Sequence, residues 1–276
     1  MKIAFFNDYR MGIVVGSNIV DVTEVVGDIP HLSPSDQLNG LIEQFPQYKT
    51  KLEEASKGSG APLSEVSIRP PHPRPNNIVA MAVNYMEDGT RDEPAPINAF
   101  HKSSNSVIGD NDTIVIPDVP ASIFEHEAEL ALVIGKRATK VKQEDAYDYI
   151  FGYLNFIDVS ARGLLPPGNT FYQMKSRDTF APMGPWIVTA DEISDPQSLP
   201  IKLWVNGELK QNFNSDDMAH KSPRITEWVT SIHTLEPGDH CATGPKHRGL
   251  RRLLEGAKVA VEIGVAGVVQ QGADNA

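Results

Sequence analysis

Cysteine is nearly missing from this chain: Cys241 is the only one in 276 residues. An internal disulfide is therefore excluded, and the usage fits a reducing compartment. Long apolar runs are missing as well. No stretch approaches the roughly 20 residues of a membrane span, which excludes a helical transmembrane reading. The N-terminal MKIAFFNDYRMG has no apolar segment leading to a small-residue cleavage site, so no secretory signal is read and the cytoplasm is the expected compartment. Basic residues are outnumbered, 25 Lys plus Arg against 36 Asp plus Glu, for a net charge of -11. Neither nucleic acid nor an anionic membrane is an expected partner, and an anionic small molecule would need a local cation. Several catalytic signatures are also missing: no GxSxG, no GxxxxGKS/T, no GxGxxG after a strand and no HExxH.

The chain is long enough for a large domain with a smaller one beside it. Lys2 to Phe6 and Met11 to Val22 read as strands with a turn at Gly16-Ser17-Asn18. Ser33-Pro34 is an N-cap and first-turn pair, and Leu38, Leu41, Ile42 and Phe45 keep helical spacing until Pro46 interrupts it. Prolines at 70, 71, 73 and 75 then exclude helix or central strand. The boundary is placed there: a small N-terminal domain over 1–70 and a second domain over 71–276. Beyond it strands dominate, at Ile78 to Val83, Thr113 to Ile116, Leu130 to Ile134, Leu154 to Asp158, Trp186 to Thr189, Ile201 to Val205 and Lys258 to Val265. Helices are expected at Gln143 to Ile150 and about Pro223 to Ile232. The expected class is mainly β with some α, folded as stacked sheets or a roll.

The residues with chemistry are carboxylates. In FEHEAELALVIGK, Glu125, Glu127 and Glu129 recur at every second position, which on a strand places all three on one face. Like charges that close need either open water or a positive partner. Asp158 ends another apolar run, in NFIDVSARG. Three carboxylates without cysteines or paired histidines describe a hard oxygen site suited to Mg2+ or Mn2+; a solvent-facing strand edge is the competing reading. Lys175 in KSRDTFAPMGPW stands at a strand mouth, where it meets either an anion or a surface carboxylate. ATGPKHRG, residues 242–249, is either a simple turn or a loop whose amides and Thr243 cradle a carboxylate. Cys241 reads as a packed structural thiol.

Four ordered motifs, EAELALVIGK (127–136), GYLNFIDVSAR (152–162), KSRDTFAPMGPW (175–186) and VNGELKQ (205–211), resemble the fumarylacetoacetate hydrolase family from about residue 76 onward. The resemblance implies a mixed β-roll behind a small N-terminal α+β domain, a homodimer, and a divalent cation, Mg2+ or Mn2+, on Glu127, Glu129 and Asp158. It implies Lys175 near the reacting centre, Arg162 as a contact either to the substrate or to the ligand carboxylates, Tyr85 as a substrate contact, and Thr243-Gly244 as the loop that holds a substrate carboxylate. Glu125 lies outside the ligand pair and reads either as a residue that supports the ligands or sits at the rim of the site, or as plainly solvent-exposed. The implied chemistry is C–C bond hydrolysis in a β-diketo acid, acylpyruvate-like or fumarylpyruvate-like, through a metal-stabilised enolate. A decarboxylase, hydratase or isomerase of a 2-oxo acid is the alternative on the same site, and a non-catalytic small-acid binding protein the alternative of another class. One motif departs. Where hydrolytic members carry N-Y-x-x-H-x-x-E, this chain has NYMEDGTR, with Asp88 and Arg91 in place of the His-Glu pair. Asp88 is expected to lie against Arg91, which would hold it ionised and make it a weak base, or Arg91 instead binds a distal substrate carboxylate; Asp88 or Glu87 serves as base.

Overall fold

Two long antiparallel strands, Ile123–Ile134 and Ile150–Arg162, form the spine of the protein. The computed structural model describes residues 1–164, 171–248, 250, 252–264 and 266–276. Both spine strands are buried on both faces, which is why LALVI reads as a continuous apolar run rather than an alternating one. Leu130, Leu132, Ile157 and Val159 share one core with Leu203, Val259 and Val261 of a second sheet. Ala131, Val133, Leu154 and Phe156 point the other way and pack with Leu38 and Leu41 of the N-terminal helix Pro34–Glu43.

Around this spine the described residues form a twelve-stranded sheet and a five-stranded sheet, the latter ordered Glu208–Asn214, Pro200–Val205, Lys258–Ile263, Val268–Asn275, Thr113–Ile116. The N-terminal segment joins the larger sheet: Lys2–Phe6 pairs with Ala181–Thr189, Ile3 opposite Ile187. Parallel pairing of His240–Ala242 with Ile78–Met81 brings the 243–248 loop beside the start of the 82–91 segment. That juxtaposition shapes the site.

Local signals explain most elements. Ser33 caps the first helix, its Oγ accepting from the Asp36 N–H at 3.2 Å, a contact worth about 1 kcal/mol. Pro46 opens a second helix, Phe45–Ala55, because a first-turn proline forfeits no helical hydrogen bond. The helix expected at Gln143 to Ile150 is instead a 3-10 helix, Gln143–Tyr149, a tighter winding common in short connectors between strands. The α-helix Ser222–Ile232 agrees with its expected position. Val265, expected to end a strand, and Gly249 of the 242–249 loop lie outside the described residues. No helix among the described residues is long and apolar enough to cross a membrane.

Candidate active site

The ladder between the two spine strands places Glu127 opposite Asp158 and Glu129 opposite Phe156. Strand alternation then turns Glu125, Glu127, Glu129 and Asp158 to one face. Glu127, Glu129 and Asp158 are completely buried, and one carboxylate oxygen from each lies within 4.8 Å of the others. These three carboxylates are not open to water, so the repulsion among them has to be met by positive charge.

Three cations meet part of it. Lys175, at the end of the short helix Phe171–Lys175, reaches Glu127 Oε2 at 2.7 Å and also pairs with Asp158. Arg162 bridges Glu125 at 2.9 Å and Glu127 at 2.8 Å. Glu125 therefore supports the ligand Glu127 through a shared arginine, the first of its two expected readings, and is not simply exposed to solvent, because Arg162 lies on the neighbouring strand within reach of it. The third cation, Lys102, was missed by the sequence reasoning. It is wholly buried, pairs with Asp158 and donates to the Val159 carbonyl at 3.2 Å. A faint signal existed in AFHK: strand alternation puts Lys102 on the same face as the buried Phe100. Burial alone would raise the Asp158 carboxyl, but Lys102 and Lys175 overcome it and hold it at about 2.

Glu129 is the exception. Its Oε2 accepts from the Gly244 N–H at 2.8 Å, while its Oε1 is buried with no partner among the described residues. Burial, followed by the charges of Asp158 and Glu127, pushes its carboxyl well above the usual range. An orphaned carboxylate oxygen beside two further carboxylates is a hard oxygen donor set that fits a divalent metal. Gly244 holds its side of this arrangement at φ +89, where a Cβ would come within 2.7 Å of Asn84 Cβ.

Glu127, Asp158, Arg162 and Lys175 line a cavity of about 130 Å3, together with Met81, Ala82, Val83, Phe100, Phe171, Pro245 and His247. Phe171 stacks on Phe100 at 4.9 Å, and the Lys175 ammonium sits 5.0 Å over the Phe100 ring. Of the remaining sequence candidates, Gly244 reaches the carboxylate cluster through Glu129, and Tyr85, Thr243, Glu87, Asp88 and Arg91 are not among the residues that line this cavity. Tyr85 is fully buried against Phe213 at 5.2 Å, and burial, then Glu129, pushes its phenol well above the ordinary range. Thr243 is fixed through its backbone, donating to Leu130 and accepting from Asn84 Nδ2.

The 84–91 segment differs from expectation. Asp88 ion-pairs with Lys246, and Arg91 is no partner of it among the described residues. The physical reason is the backbone: Glu87 and Asp88 both adopt positive φ, +57 for each, and the resulting turn sends Asp88 toward the 246–248 loop. Glu87 is tied to the same loop, accepting from the backbone N–H groups of His247 at 2.8 Å and Arg248 at 3.0 Å. Cys241 is buried, its thiol pushed up to about 12 by burial and then by Asp239, as suits a structural residue.

The family model for the C-terminal region of fumarylacetoacetate hydrolase matches residues 76–272. Among curated relatives, a maleylpyruvate hydrolase of Aquipseudomonas alcaligenes is 33% identical over 88% of this chain and 89% of its own length. The oxaloacetate tautomerase YisK of Bacillus subtilis is 39% identical over 77% of this chain and 73% of its own. The crystal structure of maleylpyruvate hydrolase from Sphingobium sp. SYK-6, in complex with manganese(II) and pyruvate, superposes with a TM-score of 0.90 at 35% identity, covering 100% of this chain and 99% of that one. With the matched model spanning all the strands that carry the carboxylates, the chain belongs to the fumarylacetoacetate hydrolase family and is a metal-dependent enzyme.

Proposed function

We propose that this enzyme is a Mg2+- or Mn2+-dependent hydrolase that cleaves a carbon–carbon bond in a β-diketo acid of the acylpyruvate type, with maleylpyruvate or fumarylpyruvate as model substrates. The observation that carries this reading is the buried triad of Glu127, Glu129 and Asp158 set against Lys175 and Arg162 at one small cavity. A divalent cation held by the triad supplies Lewis acidity toward a 2-oxo acid. Lys175 and Arg162 receive the substrate's negative charge and stabilise the charge that develops as the bond breaks. Tyr85, Thr243 and Gly244 are assigned to substrate contact on the side of Glu129, whose carboxylate Gly244 N–H holds, and Arg91 to a distal carboxylate. Asp88 and Glu87 hold the 246–248 loop. The alignment with maleylpyruvate hydrolases along nearly the whole chain supports the choice of hydrolysis. We further take the protein to be a cytoplasmic homodimer, which light scattering checks.

A second reading, keto–enol isomerisation of a 2-oxo dicarboxylic acid, is favoured by one observation. Both carboxylates of the 87–88 pair are engaged by the neighbouring loop, which leaves that segment without a free base for water. The deciding experiment incubates the purified protein and Mn2+ with acetylpyruvate, maleylpyruvate, fumarylpyruvate and oxaloacetate, with products identified by NMR. Release of pyruvate from an acylpyruvate is the expected result. Enol–keto exchange of oxaloacetate without any cleavage would replace hydrolysis by isomerisation, and no turnover of any of the four would remove acylpyruvates and oxaloacetate as substrates.

A further inference from the structure

The catalytic cavity contains one group that the reading above leaves without work. His247 lines it beside Glu127, Arg162 and Lys175. The other ionisable groups lining the cavity are already paired: Lys175 with Glu127 and Asp158, and Arg162 with Glu125 and Glu127. His247 alone among the described lining residues carries a side chain able to take up and return a proton near neutral pH.

Its surroundings are built to orient it. His247 Nδ1 is sealed from solvent, with Glu87 Oε1 3.6 Å away, although the side chain as a whole is 36% exposed. The exposed part of the ring is therefore away from Nδ1. Glu87 is also fastened to the histidine's own main chain, accepting from the N–H groups of His247 and Arg248. The cost of this placement is visible in three successive left-handed residues, Glu87 at φ +57, Asp88 at +57 and Gly89 at +73. Non-glycine residues enter that region at a cost, and here two successive ones lie on the segment that holds the histidine's main chain. A further ion pair, Lys246 with Asp88, pins the two loops together next to the histidine.

We infer that His247 is the proton-transfer residue of this active site and that Glu87, from a separate loop, is its positioning residue, fixing the proton on Nδ1 so that Nε2 faces the cavity as acceptor. Burial, joined by Arg162 and Lys175 and opposed by Glu87 and Glu125, holds the imidazole below its ordinary value, so the ring is neutral at pH 7. The separation of 3.6 Å is just beyond hydrogen-bond length, and catalytic contacts of this kind shorten when substrate binds.

The inference rests on the hydrolase reading for the step it describes. Water adds its oxygen to the outer carbonyl carbon of the acylpyruvate while its proton passes to Nε2. The carbon–carbon bond then breaks with its electron pair left on the carbon next to the 2-oxo group. Nε2 returns the proton to that carbon, giving pyruvate and a carboxylic acid, which ionises into solvent. In an isomerisation the same nitrogen would remove and return a carbon-bound proton.

The test uses the full-length protein with Mn2+ and acetylpyruvate. In His247→Ala, kcat is expected to fall by roughly 100- to 1000-fold, the usual range for a general acid–base group, with Mn2+ affinity within about twofold of wild type. Added imidazole should restore part of the lost rate. In Glu87→Gln, nitrogen-15 NMR of the histidines, with His247 assigned by its loss in His247→Ala, should show the Nδ1–H tautomer giving way to a mixture. That readout needs neither metal nor turnover. A His247→Ala enzyme with at least half the wild-type rate, or one that imidazole cannot rescue, would overturn the catalytic role. A tautomer indifferent to Glu87→Gln would overturn the pairing. If wild type cleaves no acylpyruvate and yet the tautomer responds to Glu87→Gln, the hydrolase reading fails and the histidine–glutamate pair stands.

Discussion

Glu127 faces Asp158 directly across the antiparallel ladder of the two spine strands, both side chains wholly buried. Two carboxylates directly opposite on one sheet face destabilise a strand pair unless positive charge lies between or beside them. Here Lys175 bridges the pair, and the unpartnered Glu129 oxygen leaves the cluster short of full compensation. The site is a polarised cradle whose energetic deficit matches a cation.

Removing one anionic ligand should separate metal binding from folding. Glu127→Gln and Asp158→Asn are each expected to lose at least tenfold in Mn2+ affinity together with activity; Glu127→Gln should stay as stable as wild type, whereas Asp158→Asn leaves the buried Lys102 without its carboxylate and should also lower the melting temperature. Glu129→Gln should lose Mn2+ as well but melt at least as high as wild type without metal, since it removes a buried negative charge set against Asp158 and Glu127, with one of its two oxygens unpartnered. Calorimetric Mn2+ titration and thermal melts check both. Wild-type affinity in all three variants would remove the triad from the site.

Lys102→Met should be strongly destabilising. It removes one partner of a fully buried pair and leaves Asp158 with Lys175 alone, a change that costs about 3 kcal/mol or more in comparable cases. Urea unfolding without metal measures the loss. Saturating Mn2+ should recover part of it, because a ligand bound only by the folded state stabilises by mass action.

Gly244→Ala should disturb the site from its backbone. The residue sits at φ +89, and a Cβ there meets Asn84 Cβ at 2.7 Å. A cost of about 1–3 kcal/mol is expected, with weaker Mn2+ binding as the N–H is drawn away from Glu129. Unchanged stability and metal affinity would count against the arrangement described here.

The buried histidine pair sets an acid limit on stability. His72 Nδ1 lies 2.9 Å from His240 Nε2, and burial, aided for His72 by its neighbour, lowers both, His240 to about 3. A folded-state value below the unfolded one means that the unfolded chain binds more protons in acid. Stability is thus complete above about pH 6.5 and falls as pH drops below it, by up to about 1.4 kcal/mol per pH unit for each histidine. Urea midpoints at pH 7.5, 6.5 and 5.5 should show this slope in wild type and a shallower one in a His72→Asn, His240→Asn double variant.

Cys241 should be inert in the folded protein. Its thiol is buried and pushed up to about 12, so little thiolate forms near neutral pH. A chromogenic disulfide reagent should titrate no thiol in native protein and one per chain in urea; rapid native labelling would contradict the burial.

What could be read along the chain was whatever period and local chemistry encode. The every-second-residue spacing of Glu125, Glu127 and Glu129 placed them on one face because strand geometry repeats every two residues. Ser33 announced its helix, since a cap acts only on the turn that follows it. Family membership was legible because four motifs keep their order along the chain. Tertiary structure alone decided which distant residues meet those carboxylates. Lys102 reaches Asp158 across 56 positions, Glu87 reaches the His247 backbone across 160, and Arg162 reaches Glu125 across 37. It also turned Asp88 toward Lys246 and not Arg91. Contacts between segments so far apart are set by strand register and by the packing of loops against them, and no local spacing records either one.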